Sequence, residues 1–224
     1  MKKRGVDMDE SNPTISVRRG EEMDPGQLDR VLKKVVPDLQ GQINIKQFPS
    51  GASNLTYLIT YDNQELVLRR PPLGTKAASA HSMIREYRVI HALQKEYPAV
   101  PKGLFYTDDI SLLGSEFYLM EKVDGVLVKD KIPVEWAFTK GDHRLFSQVI
   151  FDKLIELHQV DIEAAGLTEF GTPEGYAARQ IVGWNKRFVN AKTADIPGFD
   201  DVREWLVATI PDESNSTLPA SLLH

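Results

Sequence analysis

The sequence predicts an α+β fold with two lobes, in which a β-rich block comes before a helical block. Short runs of alternating apolar residues indicate strands before about residue 121, and apolar residues at helical spacing indicate helices after about residue 126. One helical pattern, near residues 80–95, interrupts the strands. Strands and helices segregated along a chain in this way are typical of the α+β class.

The overall composition narrows the class of protein. The chain has 224 residues, of which 42% are hydrophobic and 26% charged, as in soluble globular proteins. A net charge of −5 argues against non-specific nucleic-acid binding, which needs a basic face. The absence of cysteine excludes disulfides and thiolate metal sites within the chain, and no apolar run approaches the ~18 residues of a membrane-spanning helix. We therefore expect a cytoplasmic protein with no nucleic-acid and no membrane partner.

The N-terminal part combines a polar arm with one helix. Residues 1–22 are charged and show little periodicity, which predicts a flexible arm. Asp24 and Pro25 suit the N-cap and the first position of a helix. The apolar stripe of this helix comprises Leu28, Val31, Leu32 and Val35, and Pro37 ends it.

Residues 23–121 are predicted to form a small lobe of strands around one further helix. The predicted strands cover 42–48, 54–61, 64–70, 103–107 and 116–120, with the helix near 80–95. Turn-forming residues at 49–53 and at Asp62-Asn63 separate the first three strands. Residues 122–125 are then predicted to form a hinge.

Residues 126–224 are predicted to form part of a helical large lobe. Apolar residues recur at helical spacing over about 141–159, 174–191 and 199–210. The second of these helices, for example, places Trp184 and Phe188 on one face. Such apolar faces need packing partners, so we expect the helices to pack on further structure.

Two candidate binding features lie in the strands of the small lobe. The small-residue turn at 49–53 would let backbone N–H groups approach a phosphate, although an ordinary hairpin turn has the same composition. On the third strand Arg69 shares a face with Val67, while Leu68 and Arg70 share the other. A cation beside an apolar residue could hold phosphate oxygens near a base, and the alternative is a solvated strand end.

Two more candidates are a helical carboxylate and the hinge. Glu86 could face the sheet and pair with Arg69, or it could lie on a solvated helix surface, where a charge pair contributes little. Met120–Gly125 lies where a strand ends between lobes, so one backbone C=O and one N–H could bind a purine edge. A plain linker is the alternative. Each feature is weak alone, and only their order along the chain is specific.

That order resembles the aminoglycoside phosphotransferase family, part of the wider protein-kinase-like fold. The resemblance extends in particular to the branch related to the kinase-like domains of acyl-CoA dehydrogenase family members. It is carried by residues 49–57 (PSGASNLTY), 67–72 (VLRRPP), 80–87 (AHSMIREY) and 117–125 (FYLMEKVDG).

The resemblance implies ATP-dependent transfer of the γ-phosphate to a hydroxyl of a small-molecule acceptor, with Mg²⁺ as the metal. Arg69 falls where the family usually has its phosphate-binding lysine, and Glu86 falls on the helix partner of that lysine. The resemblance further assigns Ser53 and Asn54 to the phosphate-covering turn, Met120 to the back of the adenine pocket, and Glu121 C=O and Val123 N–H to the adenine hydrogen bonds. We expect Val67 to line the same nucleotide cleft.

The final residues, Leu218–His224, resemble the strand that leads into the catalytic loop of such enzymes, which reads His-Gly-Asp with a later Asn. His224 would be the first residue of that loop, and the catalytic Asp and the Mg²⁺ ligands would lie outside this chain. We therefore expect the 224-residue chain to be inactive by itself. The alternative function is a non-catalytic, kinase-like module that binds a nucleotide or a partner.

Overall fold

The computed structural model describes residues 13–49, 54–72, 82–128, 131–212 and 220–222. The chain divides into two compact units, Met1–Leu157 and His158–His224. The first unit contains an antiparallel sheet with helices, and the second is helical in its described part. The α+β class predicted from the sequence is therefore confirmed, whereas the predicted lobe boundaries and the hinge stay predictions.

The sheet of the first unit has five antiparallel strands in the order β1-β2-β3-β5-β4. The strands are β1 Asn44–Gln47, β2 Leu55–Thr60, β3 Glu65–Arg70, β4 Gly103–Thr107 and β5 Phe117–Glu121. Each lies within one or two residues of its predicted bounds, which is the usual uncertainty at strand ends. The central position of β3, between β2 and β5, determines which side chains meet at the candidate site.

Helix α1, Pro25–Val35, covers one face of the sheet. Its N-terminus forms as predicted, because the Asp24 carboxylate accepts a hydrogen bond of 2.7 Å from the Gln27 N–H. Leu28 and Leu32 are fully buried. The core that they enter also contains Tyr57, Ile59, Leu66, Leu68, Phe117 and Leu119.

Helix α2, Met83–Leu93, packs against β4 and β5. The Ser82 hydroxyl caps it by accepting a hydrogen bond of 3.2 Å from the Arg85 N–H. The helix approaches β4 closely, since a Cβ added at Gly103 would lie 3.0 Å from the Tyr87 ring. Glycine at position 103 therefore allows the contact that places α2 beside the sheet.

A short helix, α3 Ile110–Leu113, was not predicted from the sequence. Asp109 caps its N-terminus, and Gly114 ends it with a left-handed φ of 76°. The sequence indicated only a connection between two strands over these residues. Four residues are too few to show a helical period, so the element depends on its two capping residues.

Residues 13–22, the described part of the predicted arm, lie against the sheet. Ile15 and Gln47 exchange two backbone hydrogen bonds of 2.8 and 2.9 Å. The guanidinium of Arg70, which is only 1% exposed, donates to the backbone carbonyls of Glu21 and Glu22. These contacts attach the described part of the predicted arm to the sheet, while its flexibility stays a prediction. The segment contacts the sheet through its backbone groups. The polarity of its side chains does not indicate such contacts.

Beyond the sheet the first unit continues into helix α4, Lys140–His158. Trp136 and Phe138 pack against Phe146 near its start, with ring centroids 6.3 and 5.7 Å away. The second unit contains α5 Tyr176–Ala191 and α6 Asp200–Ala208. The three helices predicted after residue 126 are thus present. Among the described residues, none of the helices has the length and apolarity needed to cross a membrane.

Candidate functional site

One face of the sheet carries four of the side chains that matter for the site. In the β3–β5 register Arg69 lies opposite Tyr118, and Val67 lies opposite Met120. Residues directly opposite each other in antiparallel strands project on the same side. A cation and a phenol hydroxyl therefore lie beside two apolar residues on this face. Arg70 is buried on the other face, as strand alternation predicts.

Glu86 of helix α2 forms the predicted ion pair with Arg69. The shortest contact joins Arg69 Nε to Glu86 Oε2 at 3.4 Å, and the two side chains are 30% and 33% exposed. This Nε is buried and has no hydrogen-bond partner among the described residues. The contact is therefore an ion pair without a well-formed hydrogen bond. At this exposure such a pair contributes little stability by itself, so its position matters more than its strength.

Two neutral groups hold the Glu86 carboxylate more tightly than Arg69 does. The Asn54 amide donates to Oε1 at 2.6 Å, and the Tyr118 hydroxyl donates to Oε2 at 3.0 Å. Burial, and secondarily the charge of Glu86, raise the pKa of Tyr118, while Arg69 opposes the shift. The phenol consequently stays protonated and remains a donor. Both oxygens of Glu86 thus receive a hydrogen bond from a side chain of the sheet region.

Asn54 and Tyr118 differ in how far the sequence indicated them. Asn54, which the resemblance assigns to the phosphate-covering turn, is only 4% exposed, and its amide donates a hydrogen bond to Glu86. Its assignment to that turn stays a prediction, and Ser53 lies outside the described residues. Tyr118 was missed. Its position two residues before Met120 was a usable signal, because alternation along β5 places both side chains on one face.

Contacts anchor the last residue of β5 and the first residue of the predicted hinge. The Glu121 backbone N–H donates to the Lys102 carbonyl at 2.9 Å, and the Glu121 carboxylate accepts from the Lys102 N–H at 2.9 Å. Lys122 Nζ donates to Glu65 at 2.5 Å and to Asp124 at 2.8 Å. These two hydrogen bonds, with Asp124 first, raise the pKa of Lys122. The backbone direction at the end of β5 is consequently fixed against both β3 and β4.

The remaining predicted site residues differ in their solvent exposure. Val67 is buried, Met120 is partly buried, and Val123 is 63% exposed at the hinge. His224 lies outside the described residues. Within the described ranges, no group of three or more His, Asp or Glu side chains could hold a metal ion.

The second unit has a separate apolar cleft between α5 and α6. Its volume is about 390 Å³, and it is lined by Gln180, Ile181, Trp184, Asn185, Phe188 and Leu206. None of the predicted site residues lines it. The cleft is therefore a feature of the helical unit by itself.

Comparison with known proteins identifies the family. Residues 44–224 match the model of the phosphotransferase enzyme family. A crystal structure from Ralstonia eutropha, described as a provisional aminoglycoside phosphotransferase, is similar with a TM-score of 0.73 and 30% identity. The alignment covers 86% of this chain and 55% of that one. The kinase-like α+β fold implied by the resemblance is thereby confirmed.

The curated relatives are longer proteins. Acyl-CoA dehydrogenase family member 11 of Gallus gallus is 32% identical over 215 residues, covering 94% of this chain and 27% of that protein. Acyl-CoA dehydrogenase family member 10 of Mus musculus is 36% identical over 180 residues, covering 80% and 16%. This chain therefore spans about a quarter or less of these two relatives. It belongs to the phosphotransferase enzyme family, and its relatives include acyl-CoA dehydrogenase family members 10 and 11.

Proposed function

We propose that the protein binds ATP and serves in transfer of the γ-phosphate to a hydroxyl of a small molecule. The observation that carries this proposal is the Arg69–Glu86 pair, on the same sheet face as Val67 and Met120. A cation that lies beside apolar side chains suits a nucleotide, because one group contacts phosphate and the others contact the base. Membership of the phosphotransferase family supports the same reading.

In this proposal side chains of the sheet and backbone groups of the predicted hinge bind different parts of the nucleotide. Val67 and Met120 contact adenine, and the C=O of Glu121 and the N–H of Val123 bond its edge. The anchoring of Lys122 to Glu65 supports this, since it holds the backbone in one direction at that point. Ser53 and Asn54 are proposed to belong to the turn that covers the phosphates.

Arg69 supplies the positive charge of the phosphate site. Phosphoryl transfer depends mainly on positioning and on neutralisation of the charge that develops on the transferred group. Arginine can donate to two phosphate oxygens at once, whereas lysine acts as a point charge. The described residues do not include a group of carboxylates and imidazoles that fits Mg²⁺.

The identity of the acceptor and the catalytic activity of this chain are separate proposals. His224, as the first residue of the catalytic loop, remains part of the proposal. The names of the curated relatives make hydroxylated acyl-CoA thioesters the first acceptors to test. The alternative, a non-catalytic module that binds a nucleotide, requires only the sheet face and the hinge.

Incubation of the chain with γ-labelled ATP, Mg²⁺ and a panel of hydroxylated acceptors distinguishes these possibilities. Label transferred to an acceptor hydroxyl supports the phosphotransferase activity in this chain. Binding of ATP without transfer supports the nucleotide-binding module. A chain that binds no ATP at all contradicts both.

A further inference from the structure

We propose that Tyr118 and Asn54 keep Arg69 available for phosphate by occupying both oxygens of the Glu86 carboxylate. The inference rests on the proposed function, because it concerns how the same site retains a usable cation. It assigns Tyr118 and Asn54 the role of positioning residues that act through Glu86.

The need for such residues follows from arginine at position 69. A guanidinium and a carboxylate fit each other as a side-on or end-on pair with two parallel N–H···O bonds. The N–H groups of an arginine beside a glutamate therefore tend to donate to that carboxylate instead of to a ligand. A lysine ammonium is a compact point charge that does not form this planar double contact. The problem is thus specific to arginine, which stands at residue 69 in this chain.

The observed contacts show that Arg69 does not form this double contact with Glu86. Oε1 of Glu86 accepts from the Asn54 amide at 2.6 Å, and Oε2 accepts from the Tyr118 hydroxyl at 3.0 Å. Arg69 Nε is 3.4 Å from Oε2 and has no hydrogen-bond partner among the described residues. The oxygen nearest to Arg69 is thus already used by Tyr118. Arg69 Nε is thus attracted to Glu86 by charge without a hydrogen bond between the two.

Both donors are well placed to act in this way because they are neutral and fixed. Tyr118 is fully buried in the middle of β5, and the strand register places it opposite Arg69. Its ring packs against Tyr87 of helix α2, with centroids 6.2 Å apart. Asn54 is also buried. Neutral donors satisfy the carboxylate without adding a second cation that would compete for the phosphate.

The test compares ATP with adenosine, since the difference between their affinities isolates the contribution of the phosphates. Removing the hydroxyl in Tyr118→Phe should let Arg69 close on Oε2 and should lower the preference for ATP over adenosine by about tenfold, the size of one charge-assisted hydrogen bond. Asn54→Ala should act in the same direction. Tyr106→Phe is the matched control, because its hydroxyl also donates to a carboxylate, that of Glu116, at 3.1 Å.

A rescue experiment separates positioning from mere structural support. Lysine cannot form the double contact with Glu86, so Tyr118→Phe combined with Arg69→Lys should show the same ATP preference as Arg69→Lys alone. A general loss of structure at Tyr118 would instead lower the preference equally in both backgrounds. That result, or an unchanged ATP preference in Tyr118→Phe, would overturn the inference.

A measurement without nucleotide keeps the inference testable if the proposed function fails. The Nε–Hε NMR signal of Arg69, identified by its loss in Arg69→Lys, should exchange with solvent more slowly in Tyr118→Phe because a hydrogen bond to Glu86 forms. Unchanged exchange would refute the inference regardless of ligand. Equal binding of ATP and adenosine by the unmodified chain would instead refute the proposed function, and the NMR result would still decide how Arg69 and Glu86 pair.

Discussion

Replacing Arg70 with methionine tests how the N-terminal segment is held. The Arg70 guanidinium donates to the Glu21 carbonyl and, at 2.9 Å, to the Tyr57 hydroxyl. Hydrogen bonds to a charged group contribute about 1.5–3 kcal/mol each, so two of them set a range of about 3–6 kcal/mol. The variant no longer buries a cation, which offsets part of this loss. We expect Arg70→Met to lower the free energy of unfolding by about 2–4 kcal/mol.

Denaturant unfolding followed by far-ultraviolet circular dichroism measures this change. Tryptophan fluorescence is unsuitable, because Trp136, Trp184 and Trp205 all lie after the sheet. Arg69→Met is the matched control: its side chain is 30% exposed and its ion pair should contribute about 0–1 kcal/mol. Amide exchange at Ile15 and Gln47 should also accelerate in Arg70→Met. Equal stability of the two variants, with unchanged exchange at Ile15, would refute the reasoning.

Two further predictions concern acid stability and self-association. The Tyr61 hydroxyl and Lys33 hold the pKa of Asp29 below 3.8, so the stability from this carboxylate is present above pH 3.8 and is lost as the pH falls toward the folded pKa. Asp29→Asn should therefore lose less stability on acidification in thermal melts, and an equal acid loss in both proteins would contradict this. In α4, Leu145 and Phe151 are 60% and 62% exposed, so the chain should self-associate at high concentration. Phe151→Lys should reduce association in sedimentation velocity, and a monodisperse unmodified chain would show the prediction to be wrong.

Most elements could be predicted because their signals are local. Helix α1 combines an N-cap, a proline at its first position and an apolar stripe within a dozen residues. Successive side chains of a strand project to opposite faces, so the separation of Arg69 from Arg70 followed from their adjacent positions in β3. The Arg69–Glu86 contact could also be predicted, because the order of elements along the chain suggested which helix faces this strand.

The missed features depend on contacts between residues distant in sequence. Tyr118 reaches Glu86 only because β5 pairs with β3 in a register that places it opposite Arg69. The attachment of residues 13–22 depends on backbone carbonyls bonded to Arg70, and carbonyls carry no sequence signal. The polar sequence of residues 13–22 therefore gives no indication that a buried guanidinium contacts their backbone.

The most direct test of the central claim is calorimetric titration of the chain with ATP and with adenosine. Arg69→Ala is the test variant. Arg203→Ala is the control, because Arg203 has similar side-chain exposure, 26% against 30%, and also pairs with a carboxylate, that of Asp200. We predict that the unmodified chain and Arg203→Ala bind ATP more tightly than adenosine, and that Arg69→Ala loses this preference while still binding adenosine. Equal affinities for ATP and adenosine in the unmodified chain, or a preference unchanged in Arg69→Ala, would contradict the claim that this sheet face binds the phosphates of a nucleotide.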